Sequence, residues 1–271
     1  MAKGVDYAFN PHPSVAALKA AGVTFVGRYI SPQVVNDTNG KNLTPAECKA
    51  LRAAGIGLIL YAEQYAARMK EGHNAGVADA RHFDGVVKAL GLPGAVMYCA
   101  ADWDASPAEQ AGINAFLDGA AAVIGHNRVG IYGGFYPVKR ALDAGKAKFA
   151  VQTVAWSGGQ WDSRCHVRQG LYIRIGGVEC DVLTSMTHDY GQFPRPAPPA
   201  AKPAAPARRV APGGVSLRTL VRRESTSVAR SIFLMATARS KDGGFGPAQS
   251  AYIAGEDWDA PAPKGMIYWV G

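Results

Sequence analysis

The sequence predicts an α/β fold, a TIM-like (β/α)8 barrel, over residues 1–193. Short apolar segments alternate with longer amphipathic segments, and this alternation of strands and helices predicts a parallel sheet. Eight strand segments fall within the span, which is the number that closes a barrel. Several of them are continuously apolar, as strands covered on both faces are. A doubly wound open sheet is the alternative arrangement of the same elements.

The predicted elements follow one another at regular intervals along the chain. Strands are predicted at residues 4–7, 24–30, 57–61, 95–102, 128–132, 150–155, 171–175 and 178–183. Helices are predicted at residues 14–21, 45–54, 75–90, 107–124 and 137–144. The last two strands have little helical sequence around them, so we expect the barrel to be irregular there.

Boundary residues support these helices. Thr44-Pro45-Ala46-Glu47 supplies an N-cap, a proline at the first helical position and an acidic residue in the first turn, and Ser106-Pro107-Ala108-Glu109 repeats this pattern. Gly22, Gly55 and Gly91 follow three of the helices, where a C-cap glycine is expected.

The composition changes after residue 193. Residues 194–214 form a Pro/Ala-rich linker, which predicts an extended, semi-rigid connection. Residues 215–271 are expected to form a small, mostly helical accessory or docking segment, with a helix over 216–238, a short helix over 248–254 and a terminal strand over 266–270. The first of these helices is predicted from apolar residues at helical spacing, namely Leu217, Leu220, Val221, Val228, Ile232 and Met235. About 55 residues can barely sustain an independent core, so we expect virion or homo-oligomeric partners for residues 194–271.

Charge and hydropathy narrow the class of protein. No apolar run approaches the roughly 20 residues of a membrane helix, so membrane insertion is not expected. The N-terminus lacks the apolar region of a signal peptide, which predicts synthesis in the cytoplasm and action elsewhere after lysis or within a virion. The net charge of +8 attracts polyanions. An anionic cell wall fits this charge, whereas no motif for specific nucleic-acid binding is present.

Polar residues stand where the predicted strands end. In a (β/α)-barrel these ends form the active-site face. We predict Asp6, Glu63, Asp102 and Asp104 as catalytic residues. We predict a second set as substrate-binding residues: Arg28, Tyr61, Tyr132, Trp156, Gln160 and Asp181. The three aromatic residues of this set suit the faces of sugar rings.

Asp102 and Asp104 are the most informative pair. Residues two apart on a strand share a face, so both carboxylates are expected to project together. Repulsion between them would raise one pKa and leave one acid beside one base, which is the division of labour that glycoside hydrolysis requires. Asp104 alone could instead cap the helix that begins at Pro107. A Mg²⁺ or Ca²⁺ site, as in a cation-dependent phosphoesterase, is a third interpretation.

No cofactor is expected. The six histidines show no zinc-ligand spacing, so no metal site is assigned. The segment from Gly130 to Gly134 lacks the spacing of a nucleotide-binding loop, and no Gly-x-Ser-x-Gly nucleophile motif is present.

An ordered set of segments resembles a known family. The segments are Gly4-Val-Asp-Tyr-Ala, Val26-Gly-Arg-Tyr-Ile, Leu43-Thr-Pro-Ala-Glu, Gly57-Leu-Ile-Leu-Tyr, Met97-Tyr-Cys-Ala-Ala-Asp-Trp-Asp, Gly130-Ile-Tyr-Gly-Gly, Ala155-Trp-Ser and Gly177-Val-Glu-Cys-Asp-Val. Together they resemble the glycoside hydrolase-like barrel domain of unknown function found in actinobacteria and their phages. That domain is similar to the family 25 lysozymes, which cleave the link between muramic acid and glucosamine in peptidoglycan.

The resemblance assigns roles to individual positions. Asp6 matches the first-strand aspartate of the lysozymes, Asp102 the first acid of their Asp-x-Glu motif, and Asp181 the aspartate of their last strand. Asp104 stands where the lysozymes have the catalytic glutamate and is one methylene shorter. The resemblance therefore implies a cell-wall glycan hydrolase of lysozyme type, encoded by a phage as a lysin, with Asp104 or Glu63 as general acid. The alternative is a phage tail or virion component that binds bacterial cell-wall glycan without cutting it.

Overall fold

The computed structural model describes residues 1–31 and 40–196, together with the backbone of residues 221–226, 229–236 and 249–253. The chain divides into two compact units, Met1–Ala200 and Ala201–Gly271. In the first unit eight strands form a closed barrel. The predicted barrel is therefore confirmed, and the alternative of an open sheet is wrong.

The barrel strands follow chain order around the ring. They are β1 (Lys3–Asp6), β2 (Phe25–Tyr29), β3 (Gly57–Ala62), β4 (Met97–Ala101), β5 (Val129–Gly133), β6 (Phe149–Thr153), β7 (Val167–Ile175) and β8 (Val178–Ser185). Strands β1 to β7 run parallel, whereas β8 is antiparallel to both β7 and β1. The expected irregularity at the last units takes the form of this β7–β8 hairpin.

Within the described residues, five α-helices surround the barrel. They are α1 (Val15–Ala20), α2 (Pro45–Ala53), α3 (His73–Ala89), α4 (Gln110–Ile124) and α5 (Phe135–Asp143). The predicted cap at Thr44 is present, because its hydroxyl accepts the Glu47 N–H at 3.1 Å and Pro45 follows it. Gly22, Gly55 and Gly91 all have positive φ, at 72°, 72° and 70°, as the predicted C-cap role requires.

Alternation along each strand divides the side chains between two environments. Alternate residues fill the barrel interior: Phe25, Ile59, Tyr61, Val96, Tyr98, Phe149, Val151, Val167 and Leu183. The residues between them face the helices, as Val26, Leu58, Leu60 and Met97 do. Gly27 provides room inside the barrel, because a Cβ there would lie 2.7 Å from both the Asp6 Cβ and the Tyr61 ring. The glycine thus lets Asp6 and Tyr61 meet.

The second unit differs from its prediction. Its described segments are three antiparallel strands, β9 (Val221–Thr226), β10 (Ala229–Ala236) and β11 (Gln249–Ile253), in the order β11-β10-β9. The helices predicted over 216–238 and 248–254 are therefore wrong where the structure describes them. Short apolar runs fit both helical and strand periods, and the pairing of Thr226 with Ala229 forms a hairpin instead. The strand predicted over 266–270 lies outside the described residues.

Helix length and hydropathy bear on membrane insertion. Among the residues that the structure describes, no helix is both long enough and apolar enough to span a bilayer.

Candidate active site at the barrel mouth

Strand alternation determines which side chains reach the mouth. The positions that face the interior continue to the C-terminal end of each strand, so β1 delivers Asp6 and β3 delivers Tyr61. Tyr132 is the corresponding residue on β5, and Asp102 is the first residue after β4. Sequence reasoning named these four residues, and the structure brings them to the same end of the barrel.

Asp6 is the centre of a buried hydrogen-bond network. Its Oδ2 accepts the side-chain amide N–H of Gln169 at 2.8 Å and the hydroxyl of Tyr61 at 3.3 Å. The Gln169 carbonyl oxygen in turn accepts the hydroxyl of Tyr132 at 2.8 Å. The bond from Tyr132 fixes the orientation of the Gln169 amide, so Gln169 presents an N–H and not a carbonyl to Asp6.

Asp181 faces Asp6 across the β1–β8 pair. The two residues are direct partners in this antiparallel ladder, so their side chains lie on the same face about 5 Å apart at Cβ. Burial and the charge of Asp181 raise the pKa of Asp6 to about 8, although the hydrogen bonds from Gln169 and Tyr61 act to lower it. Burial and Glu179 raise the pKa of Asp181 as well. Asp6 is therefore protonated at neutral pH, which removes the repulsion between two adjacent carboxylates.

Asp102 is half-buried and has acidic neighbours. Burial, then Glu63, raises its pKa, with a further contribution from Asp181, while Lys41 and Tyr132 act in the opposite direction. Glu63 itself forms an ion pair with Lys41 at 3.1 Å. The mouth thus combines Asp102, whose carboxyl group has a raised pKa, with Glu63, whose carboxylate is in an ion pair.

A tyrosine cluster lies beneath these acids. The ring centroids of Tyr29 and Tyr61 are 5.3 Å apart, as are those of Tyr61 and Tyr132. The Lys41 ammonium is 5.0 Å from the Tyr29 ring centroid. Tyr132 donates its hydroxyl proton to Gln169 and also lowers the pKa of Asp102, so it lies between the Asp6 network and Asp102.

A cleft opens beside Asp6 and Asp181. It has a volume of about 450 Å³ and is also lined by Phe9, Tyr29 and Glu179, a size within the range of small-molecule sites. A larger cavity of about 670 Å³ lies along α2 and the end of α3, and its lining includes Lys49 and Arg52 but no acidic residue. The smaller cleft is the functional candidate, because Asp6, Glu179 and Asp181 line it.

Arg28 lies outside the barrel interior. Phe25, Gly27 and Tyr29 occupy the inward positions of β2, so Arg28 points outward to α2. Its Nε donates to Glu47 at 2.8 Å, and it also donates to the backbone carbonyls of Tyr7 and Gly40. Glu47 is therefore the ion-pair partner of Arg28. Tyr29 is the residue of β2 that reaches the mouth, and Arg28 supports the rim from behind.

The strand-face argument for Asp102 and Asp104 is wrong. Strand β4 ends at Ala101, so both residues lie beyond the strand, where alternation does not determine the direction of a side chain. Asp104 is exposed, and the acidic residues that raise the pKa of Asp102 are Glu63 and Asp181. The alternative of a helix cap at Asp104 fails too, because Ser106 and Glu109 form the capping box there. A catalytic role of Asp104 stays a prediction.

Trp156 and Gln160 lie on the loop after β6, and both are exposed. Other exposed aromatic residues share this end of the barrel. Phe9 follows β1, Tyr65 follows β3 and Tyr136 lies on the segment after β5, while Tyr172 on β7 pairs with Asp181. Within the described residues, every exposed aromatic side chain therefore lies on the face that holds the acids.

Sequence reasoning missed Tyr29, Lys41, Glu47 and Gln169. Strand alternation on β2 was the available signal for Tyr29, whereas Gln169 lies before the predicted start of its strand. No sequence signal indicated Lys41 or Glu47 as partners. In the described part of the chain, no group of three or more His, Cys, Asp or Glu residues is arranged to hold a metal ion.

A closed barrel with acidic and aromatic side chains at its mouth is an arrangement that glycoside hydrolases use. Residues 16–172 match the Rv2525c-like, glycoside hydrolase-like domain. The match covers more than half of the chain, so the chain belongs to this family.

Solved structures agree with this assignment. The Tat-secreted protein Rv2525c of Mycobacterium tuberculosis, in complex with HEPES, is 25% identical with a TM-score of 0.65, over 70% of this chain and 98% of that chain. Its complex with L-tartrate gives 26% identity and the same TM-score and coverage. The Clostridium perfringens spore cortex lytic enzyme SleM is 14% identical with a TM-score of 0.50, over 98% of this chain and 90% of that chain, which is a likeness of fold. No curated protein matches the chain.

Proposed function

We propose that this protein is a glycan hydrolase of lysozyme type that acts on bacterial cell-wall peptidoglycan. The observation that carries the proposal is the convergence of Asp6, Asp102, Asp181 and Glu63 at one barrel mouth, with a raised pKa on Asp102. Glycoside hydrolysis needs a protonated and an ionised carboxyl group in the same site. Peptidoglycan is the first polymer to test because SleM, which shares the fold, is named a spore cortex lytic enzyme.

We assign the general acid to Asp102. Its carboxyl group protonates the glycosidic oxygen as the bond to the leaving sugar breaks. Water then adds its hydroxyl group to the anomeric carbon, which becomes the new reducing end, and gives its remaining proton to the Asp102 carboxylate, so the acid is regenerated. Glu63 and Asp181 stabilise the cationic character that develops on the sugar. Neutral Asp6 positions Asp181 and the substrate through its remaining oxygen. Asp104 remains the alternative general acid, as the predicted counterpart of the lysozyme glutamate.

The test measures new reducing ends released from purified peptidoglycan. We compare the wild type with Asp102→Asn, Asp104→Asn and Asp118→Asn. Asp118 is exposed on α4 and pairs with Lys146, so its variant is a matched control outside the mouth. We expect Asp102→Asn to lose about 100-fold or more of the rate and the control to keep it. Loss in Asp104→Asn alone would move the acid to Asp104.

Non-catalytic glycan binding is the second candidate. The exposed aromatic residues on the acidic face favour it, because they supply contact surface whether or not a bond is cut. Binding to peptidoglycan without reducing ends at any pH would establish this candidate. We also propose that the protein originates as a phage lysin or belongs to a phage tail or virion. In either case residues 194–271 would bind a partner. Co-purification of the chain with intact phage particles is their direct test.

A further inference from the structure

The loop after β6 exposes a tryptophan in a strained backbone conformation. Trp156 has φ of +54° and is the one described non-glycine residue with a positive φ. The residue is 39% exposed. A bulky residue seldom adopts the left-handed region, and such strain persists mainly where the surroundings impose it and function uses it.

Two buried polar side chains impose this conformation. The Ser157 hydroxyl donates to the Thr153 carbonyl at 2.6 Å and accepts the Phe135 N–H at 3.0 Å. The Gln152 amide donates to the Gln160 carbonyl at 2.8 Å and accepts the Asp162 N–H at 2.9 Å. These bonds fix both ends of the loop around Trp156.

The neighbouring segment contributes a second aromatic ring. The Gln160 amide donates to the Tyr136 hydroxyl at 2.7 Å, and the Arg140 guanidinium lies 5.4 Å from the Tyr136 ring centroid. Gly134 permits the close approach of the two segments, because a Cβ there would lie 3.1 Å from the Trp156 Cβ. Since its oxygen accepts from Gln160, the Tyr136 hydroxyl keeps its proton for another acceptor.

We propose that Tyr136, Trp156 and Gln160, here called the Trp156 surface, bind one N-acetylhexosamine ring of an extended glycan. The indole packs against the apolar face of the sugar. The Gln160 carbonyl oxygen accepts from the acetamido N–H or a ring hydroxyl, and the Tyr136 hydroxyl donates to a sugar oxygen. This proposal rests on the proposed function for the class of polymer.

The position of the Trp156 surface indicates the path of the glycan across the barrel mouth. Strands β5 and β6 lie across the closed ring from β1 and β2, and Asp102 follows β4, next to β5. A chain of sugars that starts in the cleft beside Asp6 and passes Asp102 therefore reaches the Trp156 surface. The ring bound there is not the ring at the acids, so this contact adds affinity only for longer oligomers.

The test uses chitin oligomers of two to six N-acetylglucosamine units as probes, with binding measured by calorimetry. Asp102→Asn is the common background, so that turnover does not intervene. Trp156→Gly removes the ring while glycine accepts the positive φ, so this variant is expected to fold. Met186→Ala is the matched control, because Met186 is 40% exposed and follows β8 at the other end of the barrel.

We expect affinity to rise with oligomer length in the background protein and in the control. In Trp156→Gly the longer oligomers should bind about tenfold more weakly, while the disaccharide is unchanged. Equal affinity of Trp156→Gly and the background at every length overturns the Trp156 surface, even if the wild type cuts peptidoglycan. Length-dependent binding that needs Trp156, without release of reducing ends, keeps the surface and overturns hydrolysis. No binding of any oligomer to the background protein overturns this proposal.

Discussion

Asp6 shows how one side chain sets the charge of the mouth. Asp6 is buried and lies opposite Asp181, and its pKa is therefore about 8 instead of 3.8. Between these two values the folded state binds one proton that the unfolded state releases. The contribution of Asp6 to stability is therefore present below about pH 4 and is lost as the pH rises to about 8.

We predict that Asp6→Asn removes this pH dependence. Asparagine is neutral at every pH, and its carbonyl oxygen can accept the bonds from Gln169 and Tyr61. The variant should equal the wild type in free energy of unfolding near pH 4 and exceed it at pH 8 by on the order of a few kcal/mol. Urea unfolding at the two pH values measures this. A difference between the two proteins that is the same at both pH values would contradict a raised pKa.

A substitution of Arg28 can test whether its side chain points outward from β2. It is fully buried and binds Glu47 through two nitrogens, at 2.8 Å and 3.2 Å. We predict that Arg28→Met lowers the free energy of unfolding by roughly 1–3 kcal/mol, because the half-buried Glu47 carboxylate and the buried carbonyls of Tyr7 and Gly40 lose the bonds that the guanidinium donates. Adding Glu47→Gln should restore part of the loss. If the glycan affinity of folded Arg28→Met falls while stability is unchanged, Arg28 contacts substrate instead.

These residues also show what the sequence could predict. Asp6, Tyr61 and Tyr132 follow from strand ends alone, because the end of a parallel strand can be read from an apolar run. Arg28 lies one position from Tyr29 on β2, and one position along a strand reverses the face. Gln169 and Lys41 act through contacts with residues that are distant in the chain, and no local pattern encodes such a contact.

At the scale of elements, helices α3 and α4 pack through glycines. A Cβ at Gly119 would collide with the His73 carbonyl oxygen, and a Cβ at Gly76 with that of Phe116. Gly85 lies in the same helix α3, but a Cβ there would have no atom within 4 Å. Close packing of the two helices therefore requires glycine at positions 76 and 119, but not at position 85.

We predict opposite effects for two alanine substitutions. Gly119→Ala should destabilise the protein by about 1–3 kcal/mol, because two helix backbones must separate. Gly85→Ala should stabilise it by roughly 0.5–1 kcal/mol through helix propensity. Thermal unfolding of both variants measures the difference. Similar melting temperatures for the two would show that α3 and α4 pack more loosely than the structure indicates.

Element boundaries explain two of the errors in the sequence analysis. Strand β4 ends at Ala101, one residue before Asp102, so the alternation that placed Asp104 beside Asp102 stops too early. Apolar residues from 217 to 235 have helical spacing, yet β9 and β10 pair as a hairpin. For the hairpin, pairing with another segment decided the conformation, and the pattern of a single segment does not contain that partner.

At the scale of the whole molecule, positive charge concentrates in the second unit. Residues 201–271 contain ten lysines and arginines against five acidic residues, which gives five of the eight net positive charges. The first unit holds the closed barrel and the acidic mouth, and its strands complete their pairing without residues 201–271. The division of charge supports a proposal in which the second unit adds attraction to an anionic wall polymer.

We predict that a chain ending at Ala200 keeps the unfolding transition of the barrel but binds walls more weakly at low salt. The reason is that attraction between exposed charges is screened over about 10 Å at 0.1 M ionic strength. Sedimentation with purified walls from 20 mM to 500 mM salt should therefore show a large advantage for the full chain at low salt and little at high salt. Walls stripped of anionic polymer serve as the control and should remove that advantage. An advantage that persists unchanged at high salt would mean that residues 201–271 recognise the wall through uncharged contacts, and a lost barrel transition would mean that the two units fold together.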